Sequence, residues 1–318
     1  MNSSEEAQVI NESELYLRFK DARPCWPFIG LSLPFGILAT VGIVMNTLHI
    51  YVTIKTKSLH GTSFILLALV SAFESVHLSG QYLFPFVALT GQNFIGFTLA
   101  AKICAPSFFA LQYINLLMFS IGIDRLISIR HKTEKYKIPY IVGVLFICTV
   151  ISTYTLVSLI KTANSSKMST AKTPGFFGDM ILRDNFNGLL PQIGFSINII
   201  TIIVYIIIGI ILRAKPTIEN SVTIVDQQRN KRIFKSLCLI ICVNIGGYSL
   251  HIAFRLFILP LFKSPITNWV GFVISAIPLL ISAISNAPIL YFTSSKYRKA
   301  FDYTIKKFFW TSAAHPSP

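Results

Sequence analysis

The stretch Ile121-Gly122-Ile123-Asp124-Arg125-Leu126-Ile127-Ser128-Ile129 closes a long apolar run, and the cationic triplet Arg130-His131-Lys132 follows at once. An acid and a base beside lipid are expensive. A charged residue at the centre of a membrane helix costs about 2.5 to 3.5 kcal/mol on insertion scales, and less near the edge. Such a pair either ends a membrane helix as a stop-transfer anchor or works as a pair. The rest of the chain decides between the two.

Of the 318 residues, 53% are hydrophobic and only 13% charged, against about 25% charged in soluble domains. Mean hydropathy is +0.62. This composition expects lipid as solvent. The net charge is +15, but the basic residues form short clusters between apolar runs. That disfavours nucleic acid, which needs one continuous basic face, and suits flanks of membrane helices. Cys25, Cys104, Cys148, Cys238 and Cys242 show no CxxC and no metal spacing, so no zinc site or disulfide framework is readable. Cys148, Cys238 and Cys242 lie in apolar runs as small hydrophobes. No GxSxG, HExxH or P-loop occurs, and the six histidines are scattered. The chain is therefore read as no enzyme, with no cofactor and no metal.

Residues 1–27 form a polar tail with no apolar leader pattern. Seven apolar stretches follow, near 28–54, 62–89, 101–127, 137–160, 187–212, 233–260 and 267–292. Each reaches the roughly 20 helical residues that cross a bilayer. The expected fold is all-α: a seven-transmembrane-helix bundle over 28–292. Residues 293–318 follow as an amphipathic eighth helix and tail, with Tyr297, Phe301, Ile305 and Phe308 on one face among lysines. Eighteen of the 28 Lys and Arg lie in or beside the first, third and fifth connections and the tail. That excess places the carboxyl terminus in the cytoplasm and the amino terminus outside, in a multi-pass plasma-membrane protein. The sequons at Asn2, Asn11 and Asn164 then face outward as glycosylation candidates. No internal repeat of the kind that builds transporters is present.

Asn46 lies in the first stretch and Glu74 in the second. Asp124-Arg125-Leu126 ends the third, and Asn286-Ala287-Pro288-Ile289-Leu290-Tyr291 lies in the seventh. In that order these motifs resemble the rhodopsin-like G-protein-coupled receptors, over about Asn46 to Phe301. With Ser295-Lys296-Tyr297-Arg298-Lys299-Ala300-Phe301 in the tail, the chain is similar more narrowly to the nematode serpentine chemoreceptors of the Srsx group. The resemblance implies a chemosensory receptor that binds an extracellular small molecule or peptide and activates a heterotrimeric G protein, with sensory cilia as a location. Arg125 is then the switch, held by Asp124 and the sixth helix when off, with Leu126 replacing the family's Tyr. Asn286, Pro288 and Tyr291 stand for Asn-Pro-x-x-Tyr, with Ala287 inserted. Asn46, Glu74 and His77 become an intramembrane polar network, His77 one turn from Glu74 and able to bond it. A neutral, hydrogen-bonded Glu74 is the plainer alternative. The longer Glu weighs against the family's sodium site.

Four further features depart from the family. Asn244-Ile245-Gly246-Gly247-Tyr248 replaces the sixth-helix Trp and Pro; the glycines serve either as a flexible point or as close packing. The usual disulfide to the second outer loop has no loop cysteine, which leaves Cys25–Cys104 as a substitute. The ligand pocket, by analogy, draws on Phe108, Phe109, Gln112, Tyr113, Phe195, Asn198, His251, Phe254, Arg255 and Trp269. Arg255 either anchors an anionic ligand or snorkels. The upper half of the third helix, Pro106-Ser107-Phe108-Phe109-Ala110-Leu111-Gln112, has no Asp where the superfamily's amine receptors hold their ammonium contact. Two rivals remain: a neuropeptide receptor of the same superfamily, and a transporter or channel using Glu74 and His77.

Overall fold

The computed structural model describes residues 14–130, 137–165, 170–183, 189–214 and 221–313. Asn2 and Asn11 lie outside them. The described chain is almost wholly helical, and six of its helices are long and apolar enough to cross a membrane. Span one is Trp26–Lys55 and span two Thr62–Leu89. Span three is Phe97–Arg130 and span four Lys137–Ala163. Span five, Leu189–Ala214, completes the seven. Span six is Ser221–Ala253. Span seven runs as Pro265–Ser275, Ile277–Ile284 and Asn286–Thr293. A tail helix follows at Ser295–Ala313.

Span six starts well before the expected 233. Gln227, Gln228, Arg229, Lys231 and Arg232 are good helix formers with no Gly or Pro among them, so the helix continues past its apolar part. The breaks in span seven follow its prolines. Pro278 and Pro288 each lack the N–H that would bond the residue four before. The chain tightens there, with Ser285 N–H bonding Ser282 O at 3.0 Å.

The outer surface is apolar. On span four, Val142, Phe146, Val150 and Tyr154 are exposed, Phe146 by 70%. Their spacing makes one helical stripe. Phe257 on the sixth element is 71% exposed. Such a surface suits a protein solvated by lipid. Polar residues turn inward instead: Asn46, His49, Ser63, Ser71, Glu74, Asp124 and Asn286 are all buried.

At the amino-terminal face the chain closes over the bundle. Strands β1 (Ile95–Gly96) and β2 (Lys172–Thr173) pair antiparallel, and a short helix, Phe177–Arg183, follows. This region was expected as plain loop. Asp179 accepts from Thr173 Oγ1 at 3.2 Å and from Trp269 Nε1 at 3.1 Å. Asn93 Nδ2 donates to the carbonyls of Phe19 and Ala22, which ties the segment before span one to the same face. Phe28, Phe84, Phe176 and Trp269 fill the centre, Phe84 edge to face with Phe28 and Trp269 and the other pairs tilted. The expected Cys25–Cys104 bridge is not formed: both thiols are free and buried. They sit in separate apolar clusters, Cys25 with Phe28 and Phe35, Cys104 with Phe97 and Met180. Hydrogen bonds and aromatic packing hold this face without it.

At the opposite face the tail helix docks onto the bundle. Tyr297 and Phe301, expected on a membrane-facing stripe, are buried against spans one and two instead. The Tyr297 hydroxyl lies 3.3 Å from His49 Nε2 and 3.2 Å from Thr53 Oγ1. His49 Nδ1 shares a 2.7 Å hydrogen bond with Ser71 Oγ. Four polar groups on three helices thus satisfy one another inside the bundle, as burial requires.

Tyr297→Phe should lower thermal stability in detergent by about 1 to 3 kcal/mol, because His49 and Thr53 lose a buried partner. Lys299→Ala, exposed on the same helix, should change it little. Dithiothreitol should leave the unfolding temperature where it is, and a downward shift would reveal a bridge.

Candidate functional site

Two regions gather the polar side chains. The first is the end of span three. Asp124 is 4% exposed and pairs with Arg125 Nη2 at 3.2 Å. Ser63, at the start of span two, bridges them: its hydroxyl donates to Asp124 Oδ2 and accepts from Arg125 Nε. Gly61 starts span two with extended backbone, and this entry brings Ser63 into reach. Span five packs close at Gly122, where an added Cβ would lie 2.9 Å from the Tyr205 ring. Tyr140 bonds the Ser120 carbonyl at 2.8 Å and anchors span four beside the pair. The charged pair is therefore neutralised locally and fixed on three sides. The guanidinium keeps 17% exposure at the bundle end, so it remains reachable by a partner.

The second region is a cavity of about 520 Å³, within the range of small-molecule sites. All seven spans line it, span one through Phe35, together with Phe176, Phe177 and Gly178 from the short mouth segment. Phe108 stacks on Phe177 with centroids 4.2 Å apart, so span three holds that segment in the cavity wall. Polar lining comes from Glu74, His77, Gln81, Gln112, Asn115, Asn198, Asn244, Tyr248, His251 and Arg255. The Gln112 Nε2 amide is buried without a hydrogen-bond partner among the described residues. At the floor, Asn244 Nδ2 donates to Asn286 Oδ1 at 3.2 Å, and Asn46 Nδ2 donates to the Ala283 carbonyl at 3.2 Å.

Gly247 sets how closely span six approaches span seven. A Cβ there would lie 2.9 Å from the Pro278 carbonyl and 3.0 Å from Ser282. Gly246 has nothing within 4 Å. The close-packing reading of this glycine pair therefore holds at Gly247.

A family model described as serpentine type 7TM GPCR chemoreceptor Srsx matches residues 39–305. The chain belongs to that family. No curated protein matches it. The seven helical spans agree with that description.

The structure sorts the expected site residues of this Srsx receptor. Of the pocket set, Phe108, Gln112, Asn198, His251 and Arg255 line the cavity. His251 Nδ1 shares a 3.0 Å bond with Ser275 Oγ. Four others do not line it. Tyr113 stacks on Phe73 and donates to the Leu145 carbonyl on span four. Phe109 packs beside Phe73 and Tyr113, and Phe254 joins the apolar cluster of Leu259 and Phe272. Trp269 serves the mouth through Asp179. The side chain of Phe195 lies outside the described residues. Each helix turns 100° per residue, so adjacent aromatics face different neighbours.

The polar network also differs from expectation. Glu74 and His77 both line the cavity, but they do not bond each other. His77 Nδ1 donates to the Ser107 carbonyl at 3.4 Å. Gly80 has no side chain to hold Ser107 away, so span three approaches closely enough to take that contact. Asn286, despite the inserted Ala287, points inward to Asn244. Tyr291 bonds Asp302 of the tail helix at 3.0 Å rather than the bundle interior. Leu126 packs against the Val204 and Ile208 cluster of span five. Pro288 breaks span seven as expected. Asn164 is exposed just beyond span four.

Sequence reasoning missed Ser63, whose role depends on tertiary contact alone. It also missed Phe176 and Phe177, which follow the turn residues Pro174-Gly175. An aromatic pair directly after a turn was the available signal.

Gly247→Ala should destabilise the receptor by roughly 1 to 3 kcal/mol through overpacking against the span-seven kink. Gly246→Ala should be neutral or stabilising by up to about 1 kcal/mol. Thermal unfolding of the two variants in one detergent compares them.

Proposed function

We propose that this Srsx-family chain is a chemosensory receptor of the plasma membrane, with its amino terminus outside and its tail helix in the cytoplasm. A small molecule enters the cavity between the spans and favours an active arrangement already present at equilibrium. That arrangement frees Arg125 from Asp124 and Ser63 and offers it to a heterotrimeric G protein. The single observation that carries this reading is the Ser63–Asp124–Arg125 triangle. It neutralises a guanidinium that still reaches the bundle end. Arginine suits such a switch because it is always charged and trades one set of well-defined partners for another.

The basic excess at the tail-bearing face supports the orientation, and Asn164 then sits outside as a glycosylation site. The buried cavity favours a small ligand. A peptide would insert only one end, which keeps the neuropeptide reading secondary. Asn46, Asn244 and Asn286 serve as the polar floor through which span seven responds. Asn286, Pro288 and Tyr291 belong to the moving part of span seven.

The test is G-protein activation in cells co-expressing a promiscuous Gα, with wild type and Arg125→Ala at matched surface level. The cells receive a pooled odorant and peptide panel. The expected result is a wild-type signal abolished in the variant. A signal that Arg125→Ala leaves intact would refute the switch role. Ligand-gated current or uptake without any G-protein signal would move the assignment to a transporter or channel.

A further inference from the structure

The cavity holds one acid and one permanent base, and they sit at opposite ends. Glu74 is 3% exposed, and among the described residues it makes no hydrogen bond or ion pair. Arg255, just beyond the end of span six, likewise pairs with no carboxylate among them. Both side chains line the same cavity.

Their depths follow from fixed contacts. On span two, Ser71 meets His49, and Leu78 lies against Gly42. Glu74, between them, is therefore level with Asn46, which bonds Ala283 of span seven. Asn244 bonds Asn286 one turn further along, while Gly247 lies against Ser282, next to Ala283, so Gly247 marks the level of Glu74 on span six. Arg255 is eight residues beyond Gly247, about 12 Å along the axis at about 1.5 Å per residue. Across that separation no ion pair joins the two among the described residues. The wall between them carries the unpartnered Gln112 amide and Asn198, among Phe108, Phe177 and Ile245.

A polar group held away from water gains from a partner, and each end of this cavity keeps an ionisable side chain without one among the described residues, Glu74 buried and Arg255 half-buried. We propose that the cavity takes a slim dipolar ligand, its ammonium at Glu74 and its carboxylate at Arg255, with an apolar chain between them. Glu74 thus supplies the ammonium contact that span three lacks. Gln112 Nε2 donates to an acceptor on the ligand near mid-length. The inference rests on the receptor reading above for its signal, but not for binding.

The experiment uses the full-length receptor and a homologous series of ω-amino carboxylates, with the matching alkylamines and carboxylic acids. Thermal stabilisation of purified protein reads binding, and G-protein activation reads signal. In wild type, one chain length of the zwitterion should bind best. Removing either charged end should weaken binding roughly tenfold to a hundredfold, as charge-assisted contacts predict. In Glu74→Gln, losing the amine should cost no more than about twofold, while losing the carboxylate keeps its full effect. Arg255→Gln should show the reverse. Equal binding of the zwitterion and the plain acid in wild type overturns the proposal, and so does no binding across the series. If either variant fails to fold, the wild-type series alone decides. Stabilisation without G-protein signal counts against the receptor reading and leaves the ligand class standing.

Discussion

Charge in a lipid-solvated bundle has few places to go, and that constraint organises this molecule. With apolar residues on the outer surface, every buried polar group must find its partner inside. Asp124 and Arg125 find each other and Ser63. His49 finds Ser71 and Tyr297. Asp179 collects Thr173 and Trp269. These three closures fix the pairings that matter: span two to span three, tail helix to span one, and mouth segment to span seven. Glu74 and Gln112 are two that the constraint leaves open among the described residues, and both border the cavity.

Close approach between helices comes from missing side chains and missing N–H groups. Gly80, Gly122 and Gly247 each stand where a methyl would strike the next span. In membranes such small-residue contacts replace the hydrophobic effect, which lipid does not supply between helices. Pro278 and Pro288 divide span seven into three pieces. Gly247 packs against the first break, so the flexible element and the small residue that admits it lie on facing helices.

The number of spans and the acid–base pair were legible because their signals are local. An apolar run of about 20 residues can be counted, and Asp124-Arg125 is written in adjacent letters. Ser63 was not legible: a serine at the start of a helix is common, and its partners lie sixty residues away. The tail stripe of Tyr297 and Phe301 was readable, but not the surface it meets. Only the tertiary pairing with His49 shows that it faces protein. The inserted Ala287 left the facing of Asn286 open in the sequence, because one extra residue is about 100° of helix rotation. Only its bond to Asn244 shows that it faces inward. The mouth was read as loop because a two-residue pairing and a seven-residue helix are too short to show periodicity.

Asn244 is where the cavity and the moving parts share one side chain. It lines the cavity, donates to the Ile240 carbonyl of its own helix at 2.9 Å and donates to Asn286 on the last piece of span seven. A ligand that draws the Asn244 amide into the cavity must weaken the bond to Asn286, whose own Nδ2 has no partner among the described residues. Span seven is already broken at Ser285, directly before Asn286, so the cost of shifting that piece is low. Its far end carries Tyr291, bonded to Asp302 of the tail helix. A change at the cavity floor therefore has a continuous physical route to the tail-bearing face. The route runs through one amide pair and a proline break.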